Sequence, residues 1–391
     1  MGSYIALLAS SALLAFVLGS LQFYMVEYFV GVYGGLSRDW VIQLVSASVT
    51  TGSVLMYCFS GPLAASFFKR RVMATSLALA LLVIIAGGLS GWQPSGWMYL
   101  FPTGLLLGVY NAGKMSSVPL AAAQLRRSNA LINGIMSVVF LCGLLIGFPC
   151  GTLLHNRLGS EGYLVIAAVL GCAAVIATLC RFRNEQRRPF VIEQRRILHE
   201  TGGLYQRHGL FLFGGPLLWG IASAAQLAII ALIVREGVAG AQKAAMIPLF
   251  AAAGSMTGTI LSPLINRFWA LGAVVTSALM TLLVPTLPYV AVSFTAIAAM
   301  TVVMGILFGM AVNLIDSKLL ERVAAEGREG TGAALQSAML ALCMVVVGGG
   351  LGMLLKLGYI PPGWQFVMLG LVACVPLVLS VLMMVHHGRI A

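Results

Sequence analysis

The chain has 391 residues, of which 60% are hydrophobic and only 9% are charged, and its formal net charge is +12. A soluble domain carries about 25% charged residues, so this composition excludes an ordinary water-soluble protein and indicates a membrane protein. The basic excess does not indicate nucleic-acid binding, because the basic residues fall in alternate loops between apolar runs.

Twelve long apolar runs follow one another along the chain. Each is close to the roughly 20 residues that an α-helix needs to cross a bilayer, and backbone groups in lipid have to be hydrogen-bonded within their own element. We therefore predict an all-α polytopic membrane protein with twelve transmembrane helices. The predicted spans are about 5–31, 40–66, 72–91, 98–121, 130–154, 163–181, 209–234, 245–266, 269–287, 291–317, 331–356 and 365–385.

The loops between these spans differ in charge. Sixteen Lys and Arg residues fall in one set of alternate loops and four in the opposite set. Cytoplasmic loops carry the excess of Lys and Arg, so both termini are expected in the cytoplasm. The basic connection at 182–208 is compatible with a surface helix ending near Thr201–Gly203. It is read either as an ordinary connector or as a site for anionic lipid or a partner.

This connection divides the chain into a predicted N-terminal six-helix bundle (1–181), a cytoplasmic linker (182–208) and a C-terminal six-helix bundle (209–391). The halves resemble each other at an offset of about 201 residues, which predicts pseudo-symmetric bundles with a substrate between them. The matches pair Gly61-Pro62-Leu63 with Ser262-Pro263-Leu264, Asn111 and Lys114 with Asn313 and Asp316, and Arg126 with Arg328.

Ionisable residues inside spans are costly in lipid, so each is a site candidate. Glu27, on span 1, either binds a coupling proton or reaches the outer interface. Lys114 on span 4 and Asp316 on span 10 are opposite in charge and equivalent in the repeat, and we expect them to pair when the cytoplasmic side closes. The alternatives are that Lys114 extends to the interface and that Asp316 ends its span at the headgroups.

The loop Gly61-Pro62-Leu63-Ala64-Ala65-Ser66-Phe67-Phe68-Lys69-Arg70-Arg71 resembles the signature loop of the major facilitator superfamily. Gly61, Lys69 and Arg70 stand where that motif expects them and are candidate gating residues. Ala65 replaces the aspartate that helps to latch the family's cytoplasmic gate. The resemblance implies transport by alternating access.

The resemblance also implies that spans 1, 4, 7 and 10 line a central cavity. There Gln22 and Gln226 would supply neutral hydrogen bonds, together with Glu27 and Lys114. The remaining cavity positions are rich in Met and aromatic residues, which suits an amphiphile, although core and lipid-facing packing is an alternative explanation.

Span 5 contains Gly143, Gly147, Pro149 and Gly151, which resemble the glycine- and proline-rich motif of superfamily antiporters and exporters. The proline comes one residue late, and Thr152 replaces the last glycine. Close packing of two helices through small residues explains the same spacing without export.

Four segments resemble the bacterial lysophospholipid transporter family: Gly61–Met73, Tyr110–Lys114, Leu218–Gly220 and Leu319–Ala333. The family's span-1 acid and span-7 arginine are replaced here by Leu21 or Gln22 and by Gln226. The resemblance implies a protein of the bacterial inner membrane that moves a lysophospholipid or a similar amphiphile across that membrane. Membrane lipids are its expected partners, and a monomer is expected. The alternatives are a proton-coupled exporter of a siderophore or drug and a non-transporting receptor. No enzyme activity, cofactor, metal or nucleic acid is expected.

Overall fold

The structure is a computed structural model. It describes residues 2–93, 95–127, 129–182, 185, 194–290, 293–325 and 329–388. Several side chains within these ranges lie outside the description, including those of residues 55–66 and 194–201.

The described chain is helical, and we number its long helices α1 to α12. Their bounds are Gly2–Tyr33 (α1), Arg38–Ser66 (α2), Lys69–Leu89 (α3), Trp97–Leu125 (α4), Asn129–Leu158 (α5), Gly162–Ala177 (α6), Gln194–Arg235 (α7), Ile247–Leu261 (α8), Trp269–Val290 (α9), Phe294–Ala325 (α10), Glu329–Met344 (α11) and Gln365–Gly388 (α12). A π-helical turn, Val345–Gly349, and the helix Gly350–Lys356 continue α11, and a one-turn helix, Ala241–Ala244, precedes α8.

In the described part of the chain, nine helical stretches are long and apolar enough to cross a membrane. They include ten of the twelve long helices, because α5 and α6 fall in the single stretch Val138–Ala177. This number covers only the described residues, and the other two helices, α2 and α4, include residues whose side chains lie outside the description. The predicted all-α, multi-pass membrane fold is confirmed.

The chain forms two compact units, one made of residues 1–34 and 48–192 and the other of residues 35–47 and 193–391. Helix pairs recur between them: α1 with α5 and α3 with α6 in the first unit, α7 with α11 and α9 with α12 in the second. A third recurring pair is α2 with α4 in the first unit and α8 with α10 in the second, and glycines lie at both contacts. A Cβ on Gly104 of α4 would strike the carbonyl of Val49 on α2. A Cβ on Gly305 of α10 would strike the carbonyl of Ala251 on α8. The recurrence explains the repeat seen in the sequence.

Helix α7 contains a break that sets the geometry of its first part. His208 has φ −122° and ψ 15°, which is not helical, and divides α7 into an initial segment and an apolar segment that starts at Gly209. A surface helix ending near Thr201–Gly203 was predicted. The helix instead continues through both glycines to the break at His208, although glycine has a weak helix propensity.

Candidate functional site

The acidic candidate of α1, Glu27, is buried within the first unit. Thr152 of α5 donates a hydrogen bond from Oγ1 to Glu27 Oε1 at 3.4 Å. The carboxylate therefore faces a neighbouring helix rather than lipid. Gln22, a little more than one turn earlier on α1, is half-buried.

Lys114 lies on α4 with its Nζ 4.4 Å from the centre of the Phe140 ring on α5. This cation–π contact stabilises a charge away from water. One turn earlier, Asn111 Oδ1 is buried with no hydrogen-bond partner among the described residues. An ammonium group and an unsatisfied amide oxygen thus occupy the same face of α4, where a polar ligand could bond to both.

Tyr110 has a structural role in the segment that resembles the lysophospholipid transporters. It is fully buried, and its hydroxyl lies 3.0 Å from Ser10 Oγ and 3.1 Å from Ser11 Oγ on α1. These contacts anchor α4 to α1 and fix the position of Lys114 one turn further on.

In the second unit, Asp316 lies on α10 in the part of the helix that leads to Arg322. Its Oδ1 is buried without a hydrogen-bond partner among the described residues, and Gln336 of α11 lies beside the carboxylate. The same oxygen touches α7 at Gly215, where a Cβ would collide with it. Asp316 is therefore a carboxylate enclosed by α7, α10 and α11, and α10 continues past it to Ala325.

The two asparagines related by the repeat differ in their hydrogen bonds. Asn313, the counterpart of Asn111 in the repeat, donates from Nδ2 to Ser262 Oγ. The position that corresponds to Ser262 in the first half is Gly61, which has no hydroxyl. This difference concerns the donor Nδ2, whereas the unsatisfied atom of Asn111 is the acceptor Oδ1.

Gln226 of α7 lines a small pocket inside the second unit. Thr301 contributes the other polar side chain, while Met280, Met304 and Phe308 make the pocket predominantly apolar. Phe308 also packs edge-on against Trp219 of α7, with ring centres 4.7 Å apart. The predicted polar position and the predicted Met and aromatic surface therefore occur together on one wall.

The loop between α2 and α3 carries the predicted gating residues. Lys69 starts α3 and is buried, while the Arg70 guanidinium lies 5.7 Å from the Phe68 ring centre. Gly61 lies in α2 among the residues whose side chains fall outside the description. Glu185, which sequence reasoning missed, accepts a hydrogen bond from the Lys69 backbone N–H and lies 3.6 Å from its Nζ.

The glycines of α5 form a continuous contact with α1. A Cβ on Gly143, Gly147 or Gly151 would strike the backbone carbonyl of Ala12, Phe16 or Ser20 in turn. Ser20 Oγ donates to the carbonyl of Gly147 at 3.2 Å, and α5 continues through Pro149 to Leu158. The spacing of four residues thus serves close helix packing in the structure.

A second polar cluster was missed because its members are far apart in sequence. Asp39 Oδ1, at the start of α2, accepts hydrogen bonds from Arg235 Nη1 at 2.9 Å and from Gln365 Nε2 at 2.8 Å, all within the second unit. An acidic residue in the first turn of a helix and a basic residue in the last turn of another were the available sequence signals.

Two units of paired helices, with a few charged groups enclosed between helices, define a polytopic membrane protein of the secondary-transporter class. The sequence profile of the Major Facilitator Superfamily matches residues 5–348, and the chain belongs to this family. It is therefore a multi-pass transporter and not an enzyme.

Solved structures share this fold. A crystal structure of a point mutant of the nucleoside transporter NupG has a TM-score of 0.71 and 13% sequence identity, with 98% of this chain and 99% of that chain covered. A second NupG structure has a TM-score of 0.68 and 14% sequence identity, with 98% of this chain and 99% of that chain covered. The crystal structure of a D-xylose-proton symporter has a TM-score of 0.67 and 15% sequence identity, with 96% of each chain covered. A search of curated protein sequences finds no match.

Proposed function

We propose that this transporter moves a lysophospholipid or a similarly amphiphilic molecule across the bacterial inner membrane by alternating access, as a monomer with both termini in the cytoplasm. The chemical character of the side chains around Gln226 carries the proposal; the pocket that they line, about 20 Å³, is too small to hold an acyl chain in this conformation. The pocket is lined by the flexible or aromatic side chains of Met280, Met304 and Phe308. Its polar side chains are those of Gln226 and Thr301. Such a wall suits an acyl chain better than a sugar, whose many hydroxyls need many polar partners.

Lys114 supplies the complementary charge in this proposal. Its ammonium is held over Phe140 and can pair with a phosphate ester, while the unsatisfied Asn111 Oδ1, one turn earlier on α4, can accept a hydrogen bond from a hydroxyl of the same ligand.

Lys114 also forms the proposed gate with Asp316. Reversal of one charge, Lys114→Asp or Asp316→Lys, is expected to abolish most transport, because two like charges then meet whenever the gate closes. The double exchange is expected to restore part of the activity, measured as initial uptake in proteoliposomes. A correctly folded double variant without any recovery would contradict direct pairing.

A proton-coupled exporter of a siderophore or drug is the second candidate. Two enclosed carboxylates support it, since intramembrane acids commonly relay protons. Glu27 is bonded to Thr152, and Asp316 has an oxygen without a hydrogen-bond partner among the described residues.

The deciding experiment follows labelled lysophosphatidylethanolamine in proteoliposomes, with and without a proton gradient. The amphiphile proposal expects protein-dependent movement that continues without the gradient and falls strongly in Lys114→Gln. Lys318→Gln is the matched control, because Lys318 pairs with Glu321 at 2.7 Å near the end of α10. Movement that requires the gradient, or none at all, would favour the exporter.

A further inference from the structure

One buried oxygen on α4 is a hydrogen-bond acceptor that the described residues do not satisfy. It is Asn111 Oδ1, and it lies one turn before Lys114 on the same helix face. We propose that this oxygen accepts a hydrogen bond from the free hydroxyl of a lysophospholipid, and that Asn111 thereby selects lysophospholipids against diacyl phospholipids. The inference rests on the proposed function, because it names the part of the cargo that Asn111 recognises.

The hydrogen-bond donors that follow Asn111 along α4 are engaged elsewhere. Ser116 and Ser117 each donate from Oγ to a carbonyl one turn earlier on the helix, at 2.7 Å and 2.8 Å. The Lys114 ammonium lies 4.4 Å from the centre of the Phe140 ring. A buried acceptor without a donor is costly, so the Asn111 oxygen favours a ligand that brings a donor.

Contacts with the neighbouring helices fix the orientation of this face of α4. Tyr110, the residue before Asn111, is anchored on α1 through two contacts of its hydroxyl. On another side of α4, a Cβ on Gly113 would lie 2.8 Å from the Met73 side chain, so α3 packs closely there. Side chains three positions apart on a helix are neighbours, and α4 therefore presents an acceptor and a cation together to one ligand.

The two classes of phospholipid differ in the group that would meet this oxygen. In a lysophospholipid with its acyl chain on the outer glycerol carbon, the middle carbon carries a free hydroxyl next to the phosphate-bearing carbon. That hydroxyl can donate to Asn111 Oδ1 while the phosphate pairs with Lys114. In a diacyl phospholipid it is esterified, so only acceptor oxygens face the amide oxygen, which stays unbonded. Sites that bond a substrate hydroxyl reject analogues without it.

The repeat provides a matched position that lacks this property. Asn313 of α10 corresponds to Asn111, and its Nδ2 donates to Ser262 Oγ. Its oxygen is not among the buried unsatisfied side-chain atoms of the described residues. Asn313 is therefore the natural control for a substitution of Asn111.

The test is competition for the uptake of labelled lysophosphatidylethanolamine into phosphatidylcholine proteoliposomes that contain the full chain. The unlabelled competitors are the same lipid and its deoxy analogue, in which a hydrogen atom replaces the free hydroxyl. The original chain should prefer the hydroxyl form about tenfold. In Asn111→Leu the two competitors should agree within about twofold, whereas Asn313→Leu should keep the preference. Diacyl phosphatidylethanolamine should compete no better than the deoxy analogue with the original chain.

The outcomes distinguish this inference from the proposed function. Equal competition by the hydroxyl and deoxy lipids on the original chain overturns the inference and leaves lysophospholipid transport standing, and this comparison needs no variant. A preference that survives in a folded Asn111→Leu chain, an equal loss in Asn313→Leu, or diacyl competition as strong as that of the lysophospholipid overturns it as well. No protein-dependent uptake of the labelled lipid overturns both.

Discussion

At the scale of single residues, an acid from the linker occupies the start of α3. The sequence places Ala65 where the family's signature loop has an aspartate, which left the local electrostatics of that loop open. Glu185 bonds there to the Lys69 backbone N–H and faces its ammonium, with side-chain exposures of 6% and 8%. A carboxylate at a helix N-terminus is stabilised by the helix dipole as well as by its partner.

Glu185→Gln is expected to lower the free energy of unfolding by about 1–3 kcal/mol, since the buried ammonium of Lys69 loses its counter-charge while the amide oxygen can still accept from the backbone. The thermal unfolding midpoint in detergent measures this. Glu321→Gln is the control: it removes a shorter ion pair whose glutamate is 58% exposed, and should cost less than about 1 kcal/mol. Equal shifts in the two variants would contradict the role assigned to Glu185.

At the scale of helices, close backbone contacts determine which helices pair. The glycines of α5 admit α1, and the glycines of α4 and α10 admit α2 and α8. Side chains larger than glycine would separate these pairs, because the obstructing atoms are backbone carbonyls that cannot change rotamer.

Gly147→Ala should therefore destabilise the protein by about 1–3 kcal/mol, through the clash with the Phe16 carbonyl. Gly171→Ala in α6 gains the same helix propensity, but its Cβ meets only the Leu81 side chain at 3.6 Å, so its unfolding midpoint should stay or rise. The two midpoints, measured in one detergent, test the idea. A Gly147→Ala midpoint as high as that of Gly171→Ala would refute it.

The start of α2 belongs to a different unit from the rest of the helix. Residues 35–47 pack into the second unit, while the remainder of α2 belongs to the first. Asp39→Asn removes the charge that Arg235 faces and should cost about 3 kcal/mol or more, since Asp39 is buried. Glu236→Gln removes another partner of the same arginine, but Glu236 is 53% exposed and its loss should be nearly neutral. Thermal unfolding of the two variants distinguishes them, and similar losses would count against a structural role for Asp39.

At the scale of the whole molecule, the distribution of basic residues predicts the orientation in the membrane. Lys243, in the one-turn helix before α8, should face the outside, and Arg127, after α4, should face the cytoplasm. A membrane-impermeant maleimide applied to intact cells should label Lys243→Cys and leave Arg127→Cys unlabelled until the cells are broken. Labelling in the opposite order would show that the predicted orientation is wrong.

The sequence by itself determined the class of this protein. Its apolar runs, low charge and the loop from Gly61 to Arg71 were sufficient for an all-α membrane transporter of the major facilitator superfamily, because a bilayer permits few backbone structures. The offset repeat of about 201 residues likewise predicted related halves.

Only the tertiary structure decided which polar groups meet. Glu185 with Lys69, Asp39 with Arg235 and Gln365, and Lys114 with the Phe140 ring all join residues on different helices or segments. Hydrophobic periodicity and loop charge indicate which segments lie in the membrane and which lie in water. They do not report which neighbour a side chain reaches, because that depends on helix rotation and approach, which packing sets through contacts such as those of Gly143, Gly147 and Gly151.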